Sequence, residues 1–227
     1  MNVPMTDSAP RIDRLLSTPE FFAVAAARLS FDVPEGLTDP HVIPRHDAHD
    51  ADPAVMAAIA AMRPIRTAAV LVPIITRAEP TVLFTQRTAQ LADHAAQIAF
   101  PGGKIEAVDA SPAAAALREA EEEIALDHRF VEPIGYLDVH ITPTRYRILP
   151  TLARVREGFS LRVNDGEVDD AFEVPLAFLM APQNHKRKRV EWNGLITTVY
   201  AIPFNDRDIW GVTAGIVRNL WEKIYKG

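Results

Sequence analysis

Cysteine is absent from all 227 residues. Disulfides, thiolate metal sites and a cysteine nucleophile are therefore excluded. A reducing compartment suits such a chain, and the expected location is the cytoplasm. An excess of basic charge is also missing: the net charge of −6 argues against non-specific nucleic-acid binding. The first residues lack a basic segment followed by an apolar run, so no signal peptide is expected. No uninterrupted apolar stretch is long enough to span a bilayer, and no membrane partner is expected. Internal repeats are missing too. What is present is an apolar content of 48% with 24% charged residues, the composition of a globular protein with a real core.

Two regions are expected: an N-terminal extension over residues 1–60, partly disordered and with one or two helices, and a domain over residues 61–227. Thr18-Pro19-Glu20 reads as a helix start, with Thr18 as N-cap and Pro19 at the first helical position. Phe21, Phe22, Ala25, Ala26 and Leu29 follow at helical spacing. Residues 33–53 hold four prolines and read as an irregular connection, with His41, His46 and His49 as solvated loop histidines. Ala54–Met62 is expected to form a short helix. The extension is assigned either to dimerisation, giving a homodimer, or to covering a cleft.

In the second region the run Ala68–Ile75 reads as a strand, placed by Pro73 at an edge or a bulge. Thr81–Thr85 reads as its returning strand and Gln97–Phe100 as a short one. Further strands are expected at Val131–Val139, Arg147–Arg154, Val168–Val174 and Ile196–Ile202, and helices at 112–125, Leu176–Met180 and Thr213–Tyr225. The basic run His185–Arg189 reads as a solvated loop. Strands with few helices and no regular βαβ alternation give an α/β class, an α+β mixed sheet with helices packed on it.

The stretch Phe100–Leu126, FPGGKIEAVDASPAAAALREAEEEIAL, carries the chemistry. Ser111 and Pro112 make a good helix start. At about 100° per residue, Leu117, Ala120 and Ile124 share one face and Glu119, Glu122 and Glu123 the opposite one. Neighbouring like charges destabilise a helix, so such a cluster suits hard divalent cations, although alone it also suits a solvated acidic stripe. Arg118 lies one turn before Glu122 and can pair with it. Glu121 falls outside the acidic fan. Gly102-Gly103 lets backbone approach metal or phosphate without a Cβ in the way. Mg²⁺ takes one or two carboxylates plus substrate phosphates, a combination that suits phosphoanhydride hydrolysis.

This stretch resembles the Nudix box, G-x5-E-x7-R-E-U-x-E-E-x-G-U with U aliphatic, through Gly103, Arg118, Glu119, Ala120, Glu122, Glu123 and Leu126. Asp109 stands where the box has its first Glu, eight residues rather than seven separate it from Arg118, and Ala125 replaces the late glycine. The run LFTQRTAQLADHAAQIAFPGGKIEAVD is similar to the signature of the coenzyme A pyrophosphatase branch, and its spacing agrees with that branch. NDGEVDDAFEVPLAFLM and IWGVTAGIVRNL resemble it as well, while Ala96 replaces a usual glycine.

The resemblance implies a Nudix-type α/β/α sandwich and a Mg²⁺- or Mn²⁺-dependent hydrolase. Its substrate would be a small nucleoside diphosphate, the diphosphate of coenzyme A or a thioester of it. Glu119, Glu122 and Glu123 would be metal ligands with the Gly102 carbonyl, and Arg118 would orient the carboxylates. The general base would be a glutamate of the box or Glu167. Arg87 and Lys104 are the favoured substrate-binding cations, ahead of Arg145 and Arg147. His94 and Gln97 match polar positions of the signature. Other nucleoside diphosphate derivatives, such as ADP-ribose or a dinucleotide, remain alternatives, as does a nucleotide-sensing module that does not cleave.

Overall fold

The computed structural model describes residues 14–39, 41–42, 58, 63–88, 97–142, 144–192 and 194–226. His46, His49, His94, Ala96 and, apart from Ala58, the expected helix Ala54–Met62 lie outside the described residues, as does the chain before Arg14.

The architecture grows from β1 (Arg66–Ile75) and β7 (Tyr146–Val155), which pair in parallel along their whole length, from Arg66 opposite Tyr146 to Ile75 opposite Val155. Both are rich in Val, Ile and Leu and buried on both faces, as a sheet covered on both sides requires. Around them lie β2 (Thr81–Arg87), β3 (Ile98–Ala99), β4 (Gly102–Lys104), β5 (Val131–Tyr136), β6 (His140–Ile141) and β8 (Val168–Pro175). Among the described residues these eight strands form one mixed sheet, with β3, β2, β1, β7 and β5 in that spatial order.

Pro73 therefore sits in an interior strand, not at an edge or in a bulge. One side of β1 changes partner along its length: Ala68–Val70 pair with β4, and Ile74 and Ile75 with β2. Pro73 falls between these two ladders, where its missing N–H breaks no registered bond with either.

Helices cover both faces. On one lies α2 (Pro112–Ile124), whose Ala115, Ala116, Ala120 and Ile124 pack on Ala69, Leu71, Leu83 and Ala153. The alanines combine high helix propensity with a small profile, which brings the helix axis close to the sheet. On the other face α1 (Thr18–Arg28), α3 (Leu176–Leu179) and α4 (Val212–Trp221) enclose Val72, Ile74, Val82, Phe84 and Leu152. Phe21, Phe22, Ala25 and Leu29 of the first helical segment belong to this same core, so residues 18–29 fold with the sheet.

Helix α1 is capped by Ser17 rather than Thr18. Glu20 accepts the Ser17 N–H at 2.8 Å in a capping box, which places Pro19 one position further in. The basic run is likewise a strand and not a loop: β9 (Lys186–Trp192) pairs with β10 (Leu195–Phe204), and β10 with β11 (Arg207–Trp210), in a three-stranded antiparallel sheet. His185 before it is buried, with Nε2 2.6 Å from the Leu179 carbonyl, and burial pushes its pKa down to about 4. The last helical segment starts at Val212 and ends in a π-helical turn, Glu222–Lys226.

Helix α2 ends with Ala125 in the left-handed conformation, φ 54° and ψ 32°, its N–H bonded to the carbonyls of Ala120 and Glu121. A left-handed residue with a Cβ carries strain of roughly 1 kcal/mol that glycine avoids. Ala125→Gly is therefore expected to raise the unfolding free energy by about 0.5–1 kcal/mol in urea titrations. A loss of stability would mean that the cap is not strained.

Candidate active site

Glu123 is the deepest acid of the set. It sits in the last turn of α2 and is 2% exposed. One carboxylate oxygen accepts the Gly102 N–H at 3.1 Å, and the other lies 3.6 Å from a guanidinium nitrogen of Arg87. Three sequence-distant segments thus meet here: the end of β2, the glycine pair and the acidic helix. Burial foremost, then Glu119 and Glu167, push the Glu123 carboxyl up to about 7, while Gly102 and Arg87 oppose the shift.

The three glutamates do not form a single fan. Glu119 and Glu123 are four positions apart and turn toward the glycine loop, while the Glu122 side chain is 55% exposed. At 100° per residue, positions 119 and 123 differ by about 40° and positions 122 and 123 by about 100°, which accounts for the split. The Glu119 side chain is only 15% exposed, and its carboxyl is raised by burial first, with Glu122 and Glu167 adding repulsion. Glu121 is exposed.

The two glycines make room in different ways: a side chain at Gly102 would meet backbone, and one at Gly103 the end of the Glu119 side chain. A Cβ on Gly102 would lie 2.4 Å from the Ala69 carbonyl oxygen, and a Cβ on Gly103 2.5 Å from the Glu119 carboxyl carbon. The glycine pair therefore lets β4 lie against β1 on one side and accept the α2 carboxylates on the other.

Arg118 uses all five of its N–H donors. Nε and one terminal nitrogen hold Asp109 at 3.0 and 3.1 Å, the other terminal nitrogen reaches Glu119 at 3.0 Å and Glu122 at 3.1 Å, and the fifth bond goes to the Lys104 carbonyl at 3.1 Å. Arg118 holds the Asp109 carboxyl below its ordinary pKa. The Asp109 side chain also accepts the Glu106 N–H at 2.8 Å, closing the loop that leads into α2. Asp109 is thus the principal anchor of Arg118, a role that the departure from the box pattern concealed. The signal was its acidity at a spacing peculiar to the narrower signature.

Glu167 faces the same acids from a turn. The Asn164 N–H donates to the Glu123 carbonyl at 2.8 Å, and the Thr88 N–H to the Glu167 carbonyl at 3.0 Å, so the turn is tied to α2 and to the end of β2. Asn164 opens the NDGEV run, which by itself gave it no role. Lys104 is exposed at the end of β4, and the Gln97 carbonyl accepts the Arg87 N–H.

The two secondary cations are bonded to backbone carbonyls. Arg147 is 2% exposed, and one nitrogen donates to the carbonyls of Gly36, Asp39 and Val42 at 2.5, 2.6 and 3.0 Å. It ties the segment before β1 to β7 rather than lining the site. Arg145 donates to the Arg63 carbonyl at 3.3 Å.

The donors near α2 are all hard oxygens, and Glu119, Glu123 and Glu167 repel one another in a partly buried space. That chemistry fits Mg²⁺ or Mn²⁺. Among the described residues no three acidic or histidine side chains already converge as a coordination sphere. Positive charge at the cluster comes instead from Arg87 and Arg118.

The raised Glu123 carboxyl has a consequence for stability. The folded state binds this proton more tightly than the unfolded chain, whose carboxyl titrates near 4.5. Its contribution is therefore most favourable below about pH 4.5 and is lost as pH rises to about 7. Glu123→Gln, measured with a chelator present, should be more stable than the parent at pH 8 by about 1–3 kcal/mol and nearly equal to it at pH 5. A pH-independent difference in chemical denaturation would contradict the burial of this charge.

Residues 65–192, more than half of the chain, match the NUDIX domain. The chain is 40% identical over 155 residues to the uncharacterized Nudix hydrolase NudL of Escherichia coli K12, covering 68% of this chain and 81% of that protein. NudL of Shigella boydii serotype 4 gives the same identity and coverage. Among solved structures, a Caenorhabditis elegans Ap4A hydrolase aligns with a TM-score of 0.42 and 19% identity over 48% of this chain and 80% of that one. The acidic helix, its glycine loop and the match across them lead to one assignment: the chain belongs to the Nudix hydrolase family.

Proposed function

We propose that the protein hydrolyses the diphosphate bond of coenzyme A or its thioesters. The products are 4′-phosphopantetheine, or its acyl form, and adenosine 3′,5′-bisphosphate. The observation that carries this reading is the meeting of Arg87 and Gly102 at Glu123. Both come from the run that resembles the coenzyme A signature, and they converge on the acidic helix at its most buried carboxylate.

Glu119, Glu122 and Glu123, with the Gly102 carbonyl, would hold Mg²⁺ or Mn²⁺. When bound, the cation would neutralise the diphosphate and lower the pKa of an attacking water. Arg118 keeps Glu119 and Glu122 in fixed rotamers, itself held by Asp109. Arg87 and the exposed Lys104 attract the substrate's phosphates, whose charge can replace Glu123 as the partner of Arg87. Glu167 is the base that takes the proton of the attacking water: its turn is fixed to α2 and β2, and its side chain is only partly buried.

The test is incubation with Mg²⁺ or Mn²⁺ and a panel of coenzyme A, acetyl-coenzyme A, ADP-ribose and dinucleotides, with products identified by mass spectrometry. Release of adenosine 3′,5′-bisphosphate is expected. Cleavage of ADP-ribose with coenzyme A untouched would refute the substrate. Tight nucleotide binding with no diphosphate cleaved would refute hydrolysis and leave a sensing module. Glu123→Gln is expected to lose most activity, at least about 100-fold, while keeping its circular dichroism spectrum. Near-normal turnover in that variant would displace the metal site from this helix.

A further inference from the structure

The pairing of β2 with β8 is irregular where it reaches the site. Gln86 lies opposite Asp170, but Arg87 lies opposite Val168, so Asp169 is an extra residue in β8. Such a bulge re-aims the side chains beyond it. The effect is visible in the faces: Ala171 and Val168, three residues apart, both pack on the α2 side. Arg87 and Glu167, two residues of the proposed machinery, lie at this bulge, and the Thr88 N–H binds the Glu167 carbonyl just past it.

On the opposite face of the sheet, one arginine holds the last regular pair before the bulge. Arg207 of β11 donates to Gln86 Oε1 at 3.1 Å and to Asp170 Oδ2 at 2.5 Å. Its guanidinium lies 3.8 Å over the Phe172 ring. Phe172 stacks on Phe84 at 5.8 Å between centroids, and Phe84 packs on Phe100 at 4.7 Å. Phe100 leads into Pro101 and Gly102. Beside it, the Thr213 hydroxyl donates to the Ile98 carbonyl at 2.9 Å, fixing β3 to the start of α4. Successive strand residues point to opposite faces, so Gln86 meets Arg207 on one side while Arg87 meets Glu123 on the other.

We infer that Arg207 is a positioning residue for the active site: it clamps Gln86 to Asp170 and braces the Phe172–Phe84–Phe100 stack, and so sets the two groups, Arg87 and the Gly102 N–H, that hold Glu123. This deepens the proposed function and rests on its placing the chemistry at Glu123. The second sheet is thereby a support of the site, through a residue that touches neither substrate nor metal.

The test uses Arg207→Ala, Arg207→Lys, Arg87→Ala, the double variant Arg207→Ala with Arg87→Ala, and Lys188→Ala. Lys188 also anchors the second sheet, through Asp208 next to Arg207 and over Trp210, but its ion pair and ring contact go to β11 and not to Gln86 or Asp170. The first readout needs no activity. In ¹⁵N spectra of arginine side chains, the Nε–H signal of Arg87, assigned by its loss in Arg87→Ala, is expected to shift in Arg207→Ala and to stay in place in Lys188→Ala. The second is kcat/KM for coenzyme A. Arg207→Ala is expected to lose about 10- to 100-fold, mostly in kcat. The double variant should be little worse than Arg87→Ala alone, and Arg207→Lys should recover part of the loss. An Arg87 signal unmoved in Arg207→Ala overturns the inference whatever the substrate. Multiplicative losses in the double variant overturn it as well. If the Arg87 signal shifts but coenzyme A is not cleaved by the parent protein, the substrate assignment fails and the clamp stands.

Discussion

Four acidic residues in five positions of one helix repel one another, and a single guanidinium ties down two of them, Glu119 and Glu122. Arg118 directs its five N–H groups to Asp109, Glu119, Glu122 and the Lys104 carbonyl, so no donor is left to solvent. Hydrogen bonds to charged groups contribute about 1.5–3 kcal/mol each where they are shielded, and less where Glu122 is open to water. The same contacts fix two carboxylates and the loop ahead of the helix. One side chain thus serves both the helix and the geometry of two of its carboxylates.

Glu123 lies beyond the reach of Arg118 and is supported differently. It is buried against a backbone N–H and a second arginine, which offset only part of the desolvation. A buried carboxyl raised this far is unfavourable for a fold at neutral pH unless a cation or a reaction makes use of it. The sheet supplies the means. Pairing of β1 with β4 brings Gly102 under the helix, and the alternation of β2 turns Arg87 toward the same carboxylate. The parallel β1–β7 pair beneath them is buried on both faces and gives these contacts a rigid base.

Much of this was legible in the chain. The face of α2 that packs on the sheet followed from Ala120 and Ile124, and the Ser111 cap from Ser-Pro. Two failures share one cause, since local pattern is blind to what a strand pairs with. Pro73 looked like an edge residue because the change of partner along β1 is set by β4 and β2. Lys186–Arg189 looked like a loop because four consecutive cations hide the alternation of an exposed strand. Arg147 was misplaced for a related reason: its partners are backbone carbonyls about 110 positions upstream, which no side-chain pattern records. Asp109 and Arg207 act only through contacts that close in three dimensions. Motif spacing marked the first and gave no sign of the second.

The central claim is that Glu119, Glu122 and Glu123, set by Arg118 and Arg87, form a seat for a divalent cation. The most direct measurement is titration of Mn²⁺ into the protein, with free Mn²⁺ counted by electron paramagnetic resonance, for the parent chain and for Glu119→Gln. The account predicts saturable binding by the parent and at least a tenfold weaker affinity in the variant. Equal binding by the two proteins would contradict it.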